Sequence, residues 1–212
     1  MEIPASIRER VSWAIKFSWD ILQHKVGNQE IRVNKEASLQ LYYASILKDT
    51  LQLLKFSPDE QFYVELEVSV TLIGKPLIID ILVTYNDKVA SEKHAIELKC
   101  YRTQSSSGKN RGANDIFMHA VYMDLHFTEQ YVTEKVSDFA TCLILTDYQN
   151  FVSPKRKTSK NWTYDISHGC VVNSKRFTTP IGGKSVDFSL TKSYHFKWTR
   201  QGKFWGTLLR PF

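Results

Sequence analysis

The 212-residue sequence lacks the features that mark secreted, membrane-spanning or zinc-binding proteins. It has three widely separated cysteines and no C-x-x-C pair, which argues against structural disulfide bonds and against a zinc knuckle. No apolar run approaches the ~18 residues of a membrane span, and residues 1–10 lack the apolar core of a signal peptide. We therefore expect free thiols in a cytoplasmic protein that does not enter a membrane.

Charged residues are abundant but unevenly distributed along the chain. Residues 1–148 contain 16 lysines and arginines and 20 acidic residues. Residues 149–212 contain 12 lysines and arginines and only two acidic residues. The net charge of +6 therefore hides an acidic body and a strongly basic end. A basic end of this kind predicts a polyanionic partner, although a solvated basic surface explains the charge equally well.

Hydrophobic periodicity predicts two helices, three strands, a helix and a strand in the first 148 residues. The helices are expected over 6–23, 34–56 and 114–135, and the strands over 62–73, 77–85, 93–101 and 139–146. Residues 149–212 are typical of a basic, aromatic, β-rich segment packed on the same domain. The predicted fold class is α/β, or α+β, built around a mixed sheet.

Charged residues interrupt two strands whose other residues are typical of a buried position. Asp80 lies within residues 77–83, and Glu97 and Lys99 lie within residues 95–100. Positions i and i+2 of a strand face the same side, so the three side chains meet if the strands are neighbours. Two carboxylates and a lysine suit a Mg²⁺ ion with a water that the lysine orients or deprotonates. A structural ion pair across the strands is the alternative.

Glu36 is a fourth candidate for this site. It lies on one line of the second predicted helix with Gln40, Tyr43 and Leu47, which turns it toward the protein body. The alternative is an acid in the first helical turn, which the helix dipole favours.

The combination of Glu36, Asp80 and a Glu97-x-Lys99 motif resembles the PD-(D/E)XK nuclease superfamily, also called restriction-endonuclease-like. The resemblance covers residues 34–148 and implies an α-β-β-β-α-β core. It further implies that Asp80 and Glu97 are metal ligands and that Lys99 activates water. Glu36 would then be an accessory catalytic acid. The implied cofactor is Mg²⁺, for which Mn²⁺ can substitute.

Basic residues in two segments are the candidates for contact with a nucleic acid. One segment is the loop after the third predicted strand, and the other lies in the basic end. The seven candidates are Arg102, Lys109, Arg111, Lys155, Arg156, Lys157 and Lys160. Such residues provide sequence-independent affinity for phosphates, whereas solvated loops are the alternative. The aromatic residues Phe196 and Trp198 are predicted to belong to the core.

The predicted function is a Mg²⁺-dependent DNA endonuclease, most simply a type II-like restriction endonuclease. A structure-specific repair, recombination or mobile-element nuclease is the second hypothesis. The third is a catalytically inactive nucleic-acid-binding module. RNA also fits as a substrate, because no motif in the sequence distinguishes ribose from deoxyribose. Cleavage of both strands of a duplex requires a homodimer or sequential nicking.

Overall fold

The computed structural model describes residues 3–88, 90–104, 112 and 114–212. The larger elements, in chain order, are α1 (Ile7–Gly27), α2 (Glu36–Leu53), β1 (Gln61–Leu72), β2 (Lys75–Asn86), β3 (Ser91–Tyr101), α3 (Asn114–Thr133) and β4 (Phe139–Thr146). Shorter elements follow: α4 (Gln149–Val152), a 3-10 helix (Lys160–Tyr164), β5 (Val171–Val172), β6 (Lys175–Phe177), β7 (Phe188–Leu190), β8 (Tyr194–His195), β9 (Thr199–Gln201) and β10 (Phe204–Leu209).

Six of these strands form one mixed sheet in the order β1-β2-β3-β4-β10-β9. The central pair β3 and β4 is parallel, and the other neighbouring pairs are antiparallel. Parallel neighbours need a long crossover, and α3 lies in the segment that joins them. The prediction of a mixed α/β class is therefore confirmed. The basic end contributes β9 and β10 to the same sheet.

Helices and loops cover both faces of the sheet, and β4 shows this most clearly. Leu143 and Leu145 pack into the cluster of buried residues formed with α1 and α2. Cys142 and Ile144 point to the other face and pack with α3 and the C-terminal segment. A strand that is buried on both faces is expected to be mainly apolar, as β4 is apart from Thr141 and Thr146. Among the described residues, no helix is long and apolar enough to cross a bilayer.

Aromatic side chains of the basic end form much of the second core cluster. Phe196 and Trp198 are both buried, which confirms the prediction that they belong to the core. Tyr122 of α3 packs against Tyr164 and Phe177 with ring centroids 5.5 and 5.1 Å apart. These contacts attach residues 149–212 to α3 as well as to the sheet.

The observed helix boundaries differ from the predicted ones where local hydrogen bonds decide them. α1 continues to Gly27, four residues beyond the predicted end, before Asn28 caps it. α2 begins at Glu36 with Lys35 as its N-cap, and not at Asn34. The Asn34 carboxamide instead accepts a hydrogen bond from the Ser38 hydroxyl at 3.0 Å. The predicted bounds of β4 agree with the structure.

A buried histidine makes the stability of this fold dependent on pH. His94 of β3 is buried, with Nε2 2.7 Å from the Thr141 hydroxyl. Burial, with a smaller contribution from the positive charge of Arg210, lowers the pKa of His94 to about 3. Because an unfolded histidine has a pKa of about 6.5, the unfolded chain binds a proton below that pH that the folded chain does not.

We predict that acidification destabilises the wild type more than a His94→Gln variant. Between about pH 6.5 and about pH 5, the free energy of unfolding of the wild type should fall by about 2 kcal/mol relative to the variant. Urea denaturation at a series of pH values measures this difference. Parallel pH profiles for the two proteins would contradict it.

Candidate active site

The structure brings Asp80 and Glu97 together where β2 and β3 separate. Backbone pairing of these strands ends at Ile81 and Ile96, so the continued register places Asp80 opposite Glu97. The Asp80 carboxylate accepts a hydrogen bond from the backbone N–H of Leu98 at 2.7 Å. Burial, and then the negative charges of Asp124 and Asp80, raise the pKa of Glu97, so the Asp80 carboxylate acts on Glu97 electrostatically. The condition that the two strands be neighbours is therefore met.

Lys99 joins this pair to carboxylates from two helices. Its ammonium lies 3.0 Å from Asp124 Oδ2 of α3 and 3.5 Å from Glu36 Oε1 of α2. The second oxygen of Glu36 accepts a hydrogen bond from the backbone N–H of Cys100 at 3.3 Å. We call Glu36, Asp80, Glu97, Lys99 and Asp124 the carboxylate–lysine cluster. Four elements, α2, β2, β3 and α3, contribute to it.

Asp124 is the member of the cluster that the sequence reasoning missed. It lies on the buried stripe of α3, three residues after Val121 and directly before Leu125, both of which are fully buried. A single acid within the apolar stripe of a helix is costly unless it has a partner. That interruption was a signal in the sequence, of the same kind as Asp80 in its strand.

Further hydrogen bonds hold the Glu97 carboxylate and the backbone of Asp80 in place. The Tyr131 hydroxyl donates to Glu97 Oε1 at 2.8 Å. The Gln40 carboxamide donates to the backbone oxygen of Asp80 at 2.8 Å and to Glu67 Oε1 at 2.7 Å. Glu67 and Asp80 are left out of the backbone pairing between β1 and β2. The φ angle of Glu67 is 53°, a left-handed conformation that is strained for a residue other than glycine.

Burial disfavours the ionised forms of the carboxyl groups in the carboxylate–lysine cluster. It raises the pKa of Glu36 and of Asp80 above the ordinary values. Burial, and then the charges of Asp124 and Asp80, raise the pKa of Glu97 well above its usual range. Burial also raises the pKa of Asp124 to about 7. Although burial opposes it, the charges of Asp124 and Glu36 raise the pKa of Lys99, so its ammonium is retained.

The donor set of the cluster fits a hard divalent cation. Four carboxyl groups surround one lysine, so the ionised cluster carries excess negative charge that a divalent cation would balance. Asp80 and Glu97 are the pair suited to hold Mg²⁺, which prefers one or two carboxylates and keeps several waters. Asp80 is partly exposed to solvent, whereas Glu97 is buried. Among the described residues, no preformed group of three or more metal-binding side chains is present.

Arg102, predicted to contact nucleic acid, is held in place by other residues of the protein. Its Nε lies 2.8 Å from Asp147 Oδ2, and a terminal nitrogen donates to the backbone oxygen of Val33. The guanidinium also lies over the ring of Phe204, 4.7 Å from its centroid. Lys109 and Arg111, the other two candidates of that loop, lie outside the described residues.

The four candidates of the basic end lie on the surface and differ in their partners. Lys155, Arg156 and Lys160 are exposed. Lys157 forms an ion pair with Asp165 at 2.6 Å and lies over the ring of Trp162. In the described part of the chain, no hydrogen bond or ion pair links these four residues to the carboxylate–lysine cluster.

No family model, curated protein or solved structure matches this chain. The function is therefore inferred from the residues of the carboxylate–lysine cluster, from their geometry and from the order of the elements that bring them together.

We predict that Lys99 and Glu97 have opposite effects on stability without divalent cations. Replacing Lys99 with Met leaves buried carboxylates without their cation and should lower the free energy of unfolding by about 3–5 kcal/mol. Replacing Glu97 with Gln keeps an acceptor for Tyr131 and removes a buried charge, which should raise that free energy by about 1 kcal/mol. Urea denaturation in EDTA measures both changes. Destabilisation by both variants would contradict the electrostatic description.

Proposed function

We propose that this chain is a Mg²⁺-dependent DNA endonuclease of the restriction-endonuclease-like superfamily. The observation that carries the proposal is the convergence of Asp80, Glu97 and Lys99, with Glu36, at the point where β2 and β3 separate. The element order α2-β1-β2-β3-α3-β4 also supports the α-β-β-β-α-β core that the sequence resemblance implies.

In this proposal Asp80 and Glu97 would hold the metal ion. When bound, Mg²⁺ lowers the pKa of a water ligand and screens the negative charge of the phosphate. Tyr131 orients the Glu97 carboxylate, and Gln40 fixes the backbone of Asp80, through their hydrogen bonds. A fixed orientation of this kind reduces the reorganisation needed during the reaction.

Lys99 acts as an electrostatic donor in this mechanism. Because Asp124 and Glu36 raise its pKa, its side chain remains an ammonium at neutral pH. An ammonium can orient the attacking water and stabilise the charge that develops on the phosphate oxygen. Glu36 is partly exposed and has a raised pKa, so its carboxylate is suited to accept a proton from that water.

We predict that the wild type cleaves plasmid DNA in Mg²⁺ and that Asp80→Asn and Glu97→Gln each reduce the rate at least about 100-fold. Both variants lose a charge from a crowded cluster, so lost cleavage would not reflect unfolding. Asp49→Asn and Glu65→Gln are matched controls, because both residues are exposed and outside the cluster. Equal cleavage by all five proteins would overturn the assignment.

The same assay separates the kinds of nuclease. Discrete fragments from a long duplex would support a restriction-type activity. Cleavage confined to flaps, junctions or single strands would replace that part of the proposal with a structure-specific nuclease. Gel-shift binding of DNA without cleavage in Mg²⁺ or Mn²⁺ would overturn the enzymatic proposal.

We also predict that metal binding is measurable without any reaction. Mg²⁺ or Mn²⁺ at about 100 times its dissociation constant should stabilise the wild type by about 2.7 kcal/mol, seen as a higher melting temperature. Asp80→Asn should lose this shift, whereas Asp49→Asn should retain it. A shift of the same size in both variants would place the metal elsewhere.

A further inference from the structure

A basic cavity lies at the end of β3, the strand that carries Glu97 and Lys99 of the carboxylate–lysine cluster. Its volume is about 320 Å³, and it is lined by the segment between α1 and α2, the end of β3, and the turn between β9 and β10. Arg32, Arg102 and Lys203 contribute one positive charge each from these three segments. Asn34 and Phe204 also line it. We call it the edge cavity.

The same two chain segments form part of both the edge cavity and the cluster. Glu36 accepts a hydrogen bond from the backbone of Cys100, and Val33 accepts one from the Arg102 guanidinium. The start of α2 therefore runs beside the end of β3 through both sites. Arg102 follows Lys99 by three residues, which is about 10 Å along a strand, and it faces the α1/α2 side of the sheet, whereas Lys99 faces α3.

The cations of the edge cavity differ in how they are held. Arg102 is fixed by Asp147, Val33 and the ring of Phe204. Arg32 and Lys203 are exposed, and no ion pair within the described ranges involves either of them. The three cations of the edge cavity therefore carry more positive charge than Asp147 neutralises. A fixed arginine supplies directional N–H groups, and the two exposed cations add positive charge for a bound anion.

We propose that the edge cavity binds a backbone phosphate of the DNA strand that is cut, next to the phosphodiester at the cluster. This inference rests on the proposed nuclease function and adds a positioning site to it. Arg102 provides the fixed contact, and Arg32 and Lys203 provide the electrostatic contacts. Binding here sets the position of the strand along the sheet edge before cleavage.

The test is duplex binding over a range of salt concentrations in an Asp80→Asn background, which does not cut. Arg32→Ala and Lys203→Ala should each reduce the slope of log K against log salt by about 0.9, which corresponds to about eightfold weaker binding at about 0.1 M salt. Both residues are exposed, so these variants should fold, whereas Arg102→Ala removes structural contacts. Lys48→Ala, an exposed lysine in the second half of α2, is the matched control and should keep the slope.

Other outcomes would overturn either the role of the edge cavity or the proposed nuclease function. Unchanged slopes in both variants, with wild-type cleavage intact, would overturn the edge cavity but not the nuclease. A thermal shift by inorganic phosphate that depends on Arg32, without any change in DNA binding, would identify a site for free anions and overturn it as well. A wild type that neither binds nor cuts DNA would overturn the proposed function itself.

Discussion

The ammonium of Lys99 is the interaction on which the centre of the molecule depends. It lies within 3.0 and 3.5 Å of carboxylates from α3 and α2, and it is carried by the strand that also bears Glu97. Without it, buried carboxyl groups would have no cation to oppose their mutual repulsion in the metal-free protein. The proposed nuclease function accounts for the cost of holding so many acids together, because a metal site needs acids that stability alone does not.

The separation of β2 and β3 at Asp80 gives this cluster its shape. If the two strands stayed paired, the Leu98 N–H would bond to a backbone carbonyl, and the Asp80 carboxylate would lose that anchor. The neighbouring β1 accommodates the separation through the strained backbone of Glu67 and the hydrogen bonds of Gln40. Strain of this kind persists where the surrounding structure over-determines it, often next to a functional site.

The fold brings part of the basic end of the chain close to the acidic residues of its body. The basic end pairs β10 with β4, which places the β9–β10 turn and Lys203 at the same sheet edge as the end of β3. The acidic centre then has a basic rim, to which the basic end contributes Lys203 and the body of the chain contributes Arg32 and Arg102. For a phosphodiester substrate, the rim attracts the backbone while a metal ion at the centre balances the acids.

The sequence by itself determined the order of the main elements, because apolar periodicity is a local property. It also singled out Asp80, Glu97 and Lys99, since charges inside apolar strands are visible without a structure. Only the tertiary structure decided that Asp124 belongs with them and that Arg102 is held by an ion pair with a distant acid. The physical reason is that a charge acquires its partner, its desolvation and its pKa only when segments far apart in the chain pack against each other.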